Sequence, residues 1–524
     1  MVNKSIGLPI VAALAIASMM PVSLPAHAEF PEMEWKASAR GVAATGRLAP
    51  YFLTSRQHGT LSQPLSLQAR AGIEAPLATN RRFSWGFGLD AIADISKGTD
   101  YLRYDAASGV MSPRSLHPSR FWLQQLWAAV KYRSLFATLG MKENDRSLFD
   151  TQLGSGDIVL SDNARPIAQL RLGFVSFQDI PLTRGWVQIQ GEIAYGRFSD
   201  GNWLRKHFNR WSGFVTTGVW MHYKRLYLRT DPDKPFSLTI GMQHAAQFGG
   251  TQRQYWQGEE TEVRKSTLRF RDFIDVFFQK RGGSGSTDGD KAYYNGNHLG
   301  AWDLRATYRF AGGHSLTFTL QAPWEDGSGI GKLNGWDGVW GLEWKAPDGA
   351  VVSGARVEYF DFSNQSGPIH WAPSDHPGTG IGGEATGADD YYNNYFYNGW
   401  ANYGIALGTP LLKSPIYNRN GYLRFADNRV RGFQIAAEGT LQPNLCWIAK
   451  LAWRRSLGTP FHPRERRLST TSLLMGASYS FPSASGLSLS AALAIDAGSL
   501  YPASSGLMAT LEYTGLINPK VSDR

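Results

Sequence analysis

The chain has 524 residues, with 53 Lys and Arg against 43 Asp and Glu, a formal net charge of +10 and one cysteine. A lone cysteine excludes an intramolecular disulfide, and beyond the N-terminal leader no apolar run approaches the roughly 18 residues of a membrane helix. Aromatic residues make up 13% of the chain, so core packing, interfacial anchoring and ligand stacking compete for them.

Lys4, the apolar run Ile6 to Met20 and the small-residue site Ala26-His27-Ala28 form a secretory signal, residues 1–28, with cleavage expected before Glu29. Lys4 is the only charged residue in that leader, so the mature charge falls from +10 to +9. The remainder, residues 29–524, reads as one domain. Its first strand candidate, Val42 to Thr54, contains Pro50, which is uncomfortable in a paired strand. Leu65 to Leu77 alternates apolar and polar residues. Phe83, Trp85, Phe87, Leu89, Ala91, Ala93 and Ile95 then alternate with Ser84, Gly86, Gly88, Asp90, Ile92, Asp94 and Ser96. A period of two sends neighbours to opposite sheet faces, and about thirteen residues exceed the roughly nine to eleven that a membrane-spanning strand needs.

The pattern returns from Ala168 to Phe177 and again from Trp302 to Phe310. It resumes after Ala311-Gly312-Gly313 at Leu316 to Gln321, and it flanks Pro347-Asp348-Gly349, Pro443-Asn444 and Pro482 to Gly486, ending in Gly506 to Leu516. The polar faces carry Arg, Glu, Asp and Gln in mid-strand with no helical segments to cover them, so one face must meet water. This predicts an all-β fold, a transmembrane antiparallel β-barrel with lipid against the apolar face and water in the lumen. The tally of candidates is about nineteen, whereas single-chain bacterial barrels use even numbers, so one must be discarded. Counting turns backward from the last strand and forward from Gly312 gives opposite sidedness between Phe362 and Val430. That conflict implies a hidden strand there or a short turn on the extracellular side.

Residues 98–120, 250–298 and 363–401 are too long and irregular for turns and read as plugs, lids or binding loops. In the second, Leu268, Phe270, Phe273, Ile274, Phe277 and Phe278 have the spacing of a short amphipathic helix with Ser266 as its cap; such a helix either packs on the rim or closes the lumen.

The segment Leu153 to Ile167, with Asn163-Ala164-Arg165-Pro166 at its end, resembles the Asn-Ala-Arg-Pro region of the Wzi-type capsule assembly proteins. His244 to Gly250, the run Tyr391 to Trp400, Gly408-Thr409-Pro410-Leu411 and Asp427-Asn428-Arg429-Val430 follow in that family's order, and the glycine-rich acidic insert Gly367 to Asp390 departs from it. The resemblance covers essentially the whole mature chain. It implies an eighteen-stranded outer-membrane barrel, occluded at one end by helical elements, that acts without catalysis as a lectin tying capsular polysaccharide to the surface of a Gram-negative cell.

A polysaccharide site needs aromatic platforms for sugar faces beside hydrogen-bonding groups. Trp371, Tyr391, Tyr392, Tyr395, Tyr397 and Trp400, interleaved with Asn393, Asn394 and Asn398, offer both; the alternatives are an interfacial girdle or a loop folded on itself. Lys413, Arg419, Arg424, Arg429, Arg431, Arg464, Arg466 and Arg467 form a cationic group suited to acidic sugars, with lipopolysaccharide phosphates or plain solvation as alternatives. Asn163 and Arg165 fit a structural motif that fixes its own turn, with lumen lining the other reading.

The histidines lack metal-ligand spacing, the acidic loop lacks the oxygen periodicity of a calcium site, and no metal or cofactor is expected. The expected partners are surface polysaccharide and outer-membrane lipid including lipopolysaccharide. Nucleic acid is not expected, because an exported barrel does not meet it, and nothing in the sequence points away from a monomer. A porin for passive diffusion has the same alternating strands and is the competing function; a lipid-modifying barrel enzyme is a third.

Overall fold

The computed structural model describes residues 32–144, 147–149, 152–280, 295–347, 349–367 and 389–517, which leaves the leader 1–28 and Trp371 outside the described residues. Eighteen antiparallel strands close into a barrel. They are β1 (Met33–Ala44), β2 (Leu65–Ala75), β3 (Phe83–Ser96), β4 (Phe121–Tyr132), β5 (Leu135–Met141) and β6 (Ala168–Phe174, resuming at Gln178–Asp179). Next come β7 (Val187–Arg197), β8 (Trp220–Thr230), β9 (Phe236–Phe248), β10 (Asn297–Arg309), β11 (Ser315–Trp324) and β12 (Gly338–Lys345). The last six are β13 (Gly354–Asp361), β14 (Val430–Gln442), β15 (Leu445–Gly458), β16 (Pro463–Ser480), β17 (Leu487–Gly498) and β18 (Ser504–Ile517). Each strand pairs with the next, and β1 pairs with β18 from Met33–Ile517 to Ala44–Gly506. Closure leaves no unpaired edge.

The two pieces of β6 both pair with β7, so nineteen hydrogen-bonded segments make eighteen strands. The sidedness conflict disappears as well. The turns at Gly312, Asn444 and residues 482–486, together with 346–353, lie at one end, and residues 362–429 connect β13 to β14 at the other. No hidden strand is needed. Three further expectations change. β1 ends at Ala44, and Pro50 instead opens a helical turn, α1 (Tyr51–Thr54), where a fixed φ and a missing N–H are harmless. Residues 98–120 form a hairpin, Thr99–Asp105 against Val110–Leu116. The predicted amphipathic helix is α3 (Phe270–Phe277), following α2 (Gly201–His207). It begins four residues after Ser266, and the Asp272 carboxylate accepts the Arg269 N–H at 2.6 Å.

The wall is inside-out relative to a soluble sheet. Along β3 the apolar residues Leu89 and Ile95 are 45% and 78% exposed, whereas Ser84, Asp90 and Asp94 face inward and are buried. Outward apolar and inward polar is the arrangement that hydrocarbon demands. Among the described residues no helix is long and apolar enough to cross a membrane. α3 lies against the outer wall: Phe273 packs on Trp220, Tyr195 and Phe248, and Phe277 on His222. All four wall residues alternate with the inward positions Ala194, Met221, Tyr223 and Gln247, so this helix does not close the lumen.

Three groups of inward-facing charges are compensated within the barrel. Arg356 donates to Glu358 at 2.8 Å, to Glu343 at 2.9 Å and to Thr319 Oγ1 at 2.8 Å. Glu192 is shared by Arg171 and Arg225 at 2.7 and 3.3 Å, and Arg70 joins Asp90 and Glu143 at 2.5 and 2.9 Å. Taking a guanidinium and a carboxylate out of water together is tolerated only when each finds the other.

Candidate functional site

The loops at the end opposite the short turns fold inward and build a core inside the barrel. Ile158, Val159 and Ala164 from the β5–β6 loop pack with Tyr391, Tyr392, Tyr397, Trp400, Leu407 and Leu411 from the β13–β14 loop. Inward residues of the wall, among them Ala194, Tyr223, Ala245, Ala301 and Phe360, complete that cluster. A second cluster seats α1 and Leu61 on Ala452, Leu474, Ala494 and Tyr501. Here Arg454 lies between the Tyr51 and Tyr501 rings, 3.5 and 4.4 Å from their centroids, while the Tyr51 N–H donates to Asp496 at 2.7 Å. An aromatic clamp lets this buried cation of the wall sit against the plug in the lumen.

This core accounts for most of the aromatic run. Tyr391, Tyr392, Tyr397 and Trp400 are at most 2% exposed. The Tyr391 hydroxyl accepts from Asn334 at 2.9 Å, the Tyr392 hydroxyl donates to the Ile158 carbonyl, and Trp400 Nε1 donates to the Val159 carbonyl at 2.8 Å. These rings therefore tie one loop to another and offer no free platform. The asparagines are committed too. Asn398 donates to the Thr216 carbonyl at 2.6 Å and accepts the Thr216 N–H at 3.1 Å; Asn393 clips Phe425 in the same way at 2.9 and 2.8 Å. An amide that both donates and accepts imitates a strand partner.

The Asn163-Arg165 motif is a crosslink between loops. Asn163 Oδ1 accepts the Arg56 N–H at 2.9 Å and its Nδ2 donates to the Ala406 carbonyl at 2.9 Å. The Arg165 guanidinium sits over Trp122 at 4.1 Å and Tyr403 at 4.7 Å, and burial lowers its pKa to about 10. Arg464 is likewise engaged. It pairs bidentately with Asp427 at 2.9 and 2.7 Å, and Lys413 meets the same carboxylate at 2.5 Å. Burial opposes ionisation of Asp427, but these cations and the Ser456 hydroxyl hold it at about 2. Arg429 donates to the Ser363 carbonyl at 2.9 Å, while Arg466 and Arg467 are exposed at the start of β16. Burial, with Asp326 beside it, pushes Asp389 up to about 7, and burial raises Asp337 to about 6.

What remains exposed at the loop end is a different aromatic strip. Tyr395, 66% exposed, meets Phe214 edge-on at 5.4 Å, and Arg424 covers Phe214 at 5.5 Å and Tyr422 at 5.1 Å. Phe214 lies in Ser212–Thr217, which pairs with Thr251–Trp256 so that Ser212 opposes Trp256 and Phe214 opposes Gln254. Alternation therefore places Phe214, Gln254 and Trp256 on one face, and Trp211 and Trp256 are 6.2 Å apart and both exposed. Of the residues singled out from sequence, Tyr395 and Arg424 belong to this strip. Trp256 is not legible as a site residue because residues 250–298 read as irregular, although Gln252, Gln254 and Trp256 alternate; Trp211 and Phe214 lie outside that stretch, in and beside the short strand Ser212–Thr217 that pairs with it.

At the opposite end, Arg229, Arg305 and Arg309 line a cavity of about 830 Å³, open solvent at its mouth included. Arg229 donates to Gln188 and Arg305 to the Leu148 carbonyl, so the β5–β6 loop reaches down to roof this space.

No protein-family model matches the chain, and no curated protein matches it. Among solved structures it is similar to Wzi of Escherichia coli, an outer membrane protein involved in group 1 capsule assembly and a carbohydrate-binding β-barrel. That likeness has 14% identity and a TM-score of 0.53, covering 91% of this chain and 83% of the other. OccAB4 of Acinetobacter baumannii, at 11% identity, covers 93% and 98% with a TM-score of 0.43. OccK8 (OprE) of Pseudomonas aeruginosa, at 9%, covers 93% and 98% with 0.46. Likeness at those two scores does not bear on what this chain does, and the likeness to Wzi is one of fold: this chain has the fold of an outer-membrane β-barrel.

Proposed function

We propose that this chain is a lectin-like barrel of a Gram-negative outer membrane that binds capsular or surface polysaccharide and helps attach or assemble the capsule. In this reading the leader is cleaved before Glu29, residues 29–524 form one barrel, short turns face the periplasm and long loops face outward. The chain acts as a monomer without catalysis or cofactor. The carrying observation is the apolar core in the loop end of the lumen, which occupies the space that a diffusion channel keeps wet. With the lumen filled, the remaining loop-end surface carries the strip of Trp211, Trp256, Phe214 and Tyr395 beside Arg424, where sugar faces would meet rings and acidic substituents would meet guanidinium. Wzi, which shares the fold, is a carbohydrate-binding barrel.

Binding of purified capsular polysaccharide to the detergent-solubilised chain tests the reading, with conductance in planar bilayers measured in parallel. Trp211→Ala with Trp256→Ala is expected to weaken binding about tenfold, roughly the loss of one good aromatic contact, while conductance stays near silent. Steady, large conductance with no polysaccharide binding would establish a porin instead.

A further inference from the structure

The outward face of β13 to β16 carries two successive horizontal rows near the loop end. In the lower row, Tyr359, Phe433 and Trp453 are direct register neighbours on β13, β14 and β15, and the Phe433 and Trp453 rings stack at 6.0 Å. Two residues nearer the loops, the same register gives Asp361, Arg431 and Arg455. Ser469 of β16 opposes Arg455, and Arg467 lies two residues beyond Ser469, where the β15–β16 register turns irregular between Leu468 and Pro463. The residues between these positions, Gly432, Gln434 and Arg454, point inward, whereas Ile435 and Leu451 on the outward face are exposed.

Two residues of strand rise about 7 Å. Aromatic girdles lie at the headgroup boundary of a bilayer, so an arginine row one step outside such a girdle is level with headgroup phosphates. Directly opposed like charges destabilise a sheet, yet Arg431 stands opposite Arg455, and Arg467 also acts on Arg455 electrostatically. Among the described residues none of the three has a carboxylate within ion-pair distance. Asp361 accepts from the Tyr359 hydroxyl at 3.1 Å and the Ser363 N–H at 2.9 Å, and Glu465 is exposed farther toward the loops. Arg455 Nε and Nη2 are buried without a hydrogen-bond partner. A partly exposed guanidinium with two shielded and unused donors, beside two more cations, calls for an anion with several oxygens.

We infer that Arg431, Arg455 and Arg467 form a phosphate site on the outer wall, filled by the phosphorylated headgroup of lipopolysaccharide in the outer leaflet. The inference rests on the outer-membrane reading and is independent of carbohydrate binding at the loop strip. The test measures lipopolysaccharide retained by the full chain, purified from outer membranes and washed in detergent, by mass spectrometry. The triple variant Arg431→Gln, Arg455→Gln, Arg467→Gln is expected to retain about tenfold less, and Arg133→Gln, at the short-turn rim beside Tyr132, the same amount as the unaltered chain. The unaltered chain, stripped and offered either intact or dephosphorylated lipopolysaccharide, is expected to hold the intact form and release the other, whether or not the triple variant folds. Equal retention of the two forms, or by the folded triple variant, would overturn the site. Complete displacement by millimolar inorganic phosphate would reassign it to the free anion. A chain that fractionates away from the outer membrane would sink the outer-membrane reading itself.

Discussion

Arg356 and Arg455, on the two sides of this barrel wall, meet opposite fates. Arg356, pointing inward, is 3% exposed and satisfied by Glu343, Glu358 and Thr319, whereas Arg455, pointing outward at the rim, faces Arg431 and holds two nitrogens without partners. The inward cation is closed within the molecule, and the outward one is completed by something else. Charge in a barrel wall is thus structural where the protein supplies the counter-charge and receptive where it does not.

The largest test of that contrast is Arg356→Met, which leaves buried Glu358 without its cation and Glu343 with only the half-exposed Lys345, at 3.5 Å. Removing one member of a buried network costs about 3–5 kcal/mol, and urea unfolding followed by tryptophan fluorescence in detergent would read it. Adding Glu343→Leu and Glu358→Leu is expected to recover most of the loss, since apolar replacement of a whole buried network is tolerated.

A smaller effect is expected at Asp427, where the loop end has an inward-type lock. Its folded-state pKa, about 2, lies below the ordinary 3.8, so its contribution is fully present above pH 3.8 and is lost as pH falls through about 2. The shift corresponds to about 2 kcal/mol. Thermal unfolding between pH 6 and pH 2 should show that loss in the native chain and a flatter profile in Asp427→Asn. The smallest effect is expected for Arg455→Met in lipid-free detergent: no measurable change in the unfolding midpoint, because no internal partner is abandoned. A destabilisation as large as that of Arg356→Met would abolish the distinction between the two sides.

Much of the wall was legible from the chain. The alternation from Phe83 to Ile95 identifies β3 and assigns its faces, because a two-residue period has one physical reading once the strand is longer than a soluble sheet needs. Pro50 was legible as a misfit in a strand, though only the fold shows it opening α1 against Tyr501. The loops were far less readable. Residues 98–120 and 251–265 form hairpins whose alternation is interrupted by glycine and charge, and α3 has the periodicity of a helix but nothing in it says on which side of the wall it packs.

Ligand-facing residues were the hardest to read. Tyr391, Tyr392 and Trp400 have the same composition, spacing and asparagine neighbours as an exposed platform would, but their partners, Asn334, Ile158 and Val159, lie far away in the chain. Tyr395, in the same run, stays outside with Phe214 and Arg424.

The sequence by itself determined that this chain forms long amphipathic strands and which residues of each strand share a face, because that follows from local geometry and from the cost of leaving backbone or charge unsatisfied in hydrocarbon. Tertiary structure alone decided which loop aromatics are buried, where α3 lies and which arginines keep an internal counter-charge. Those outcomes depend on how strands and loops meet in space, often between residues tens to hundreds of positions apart, which no local pattern encodes.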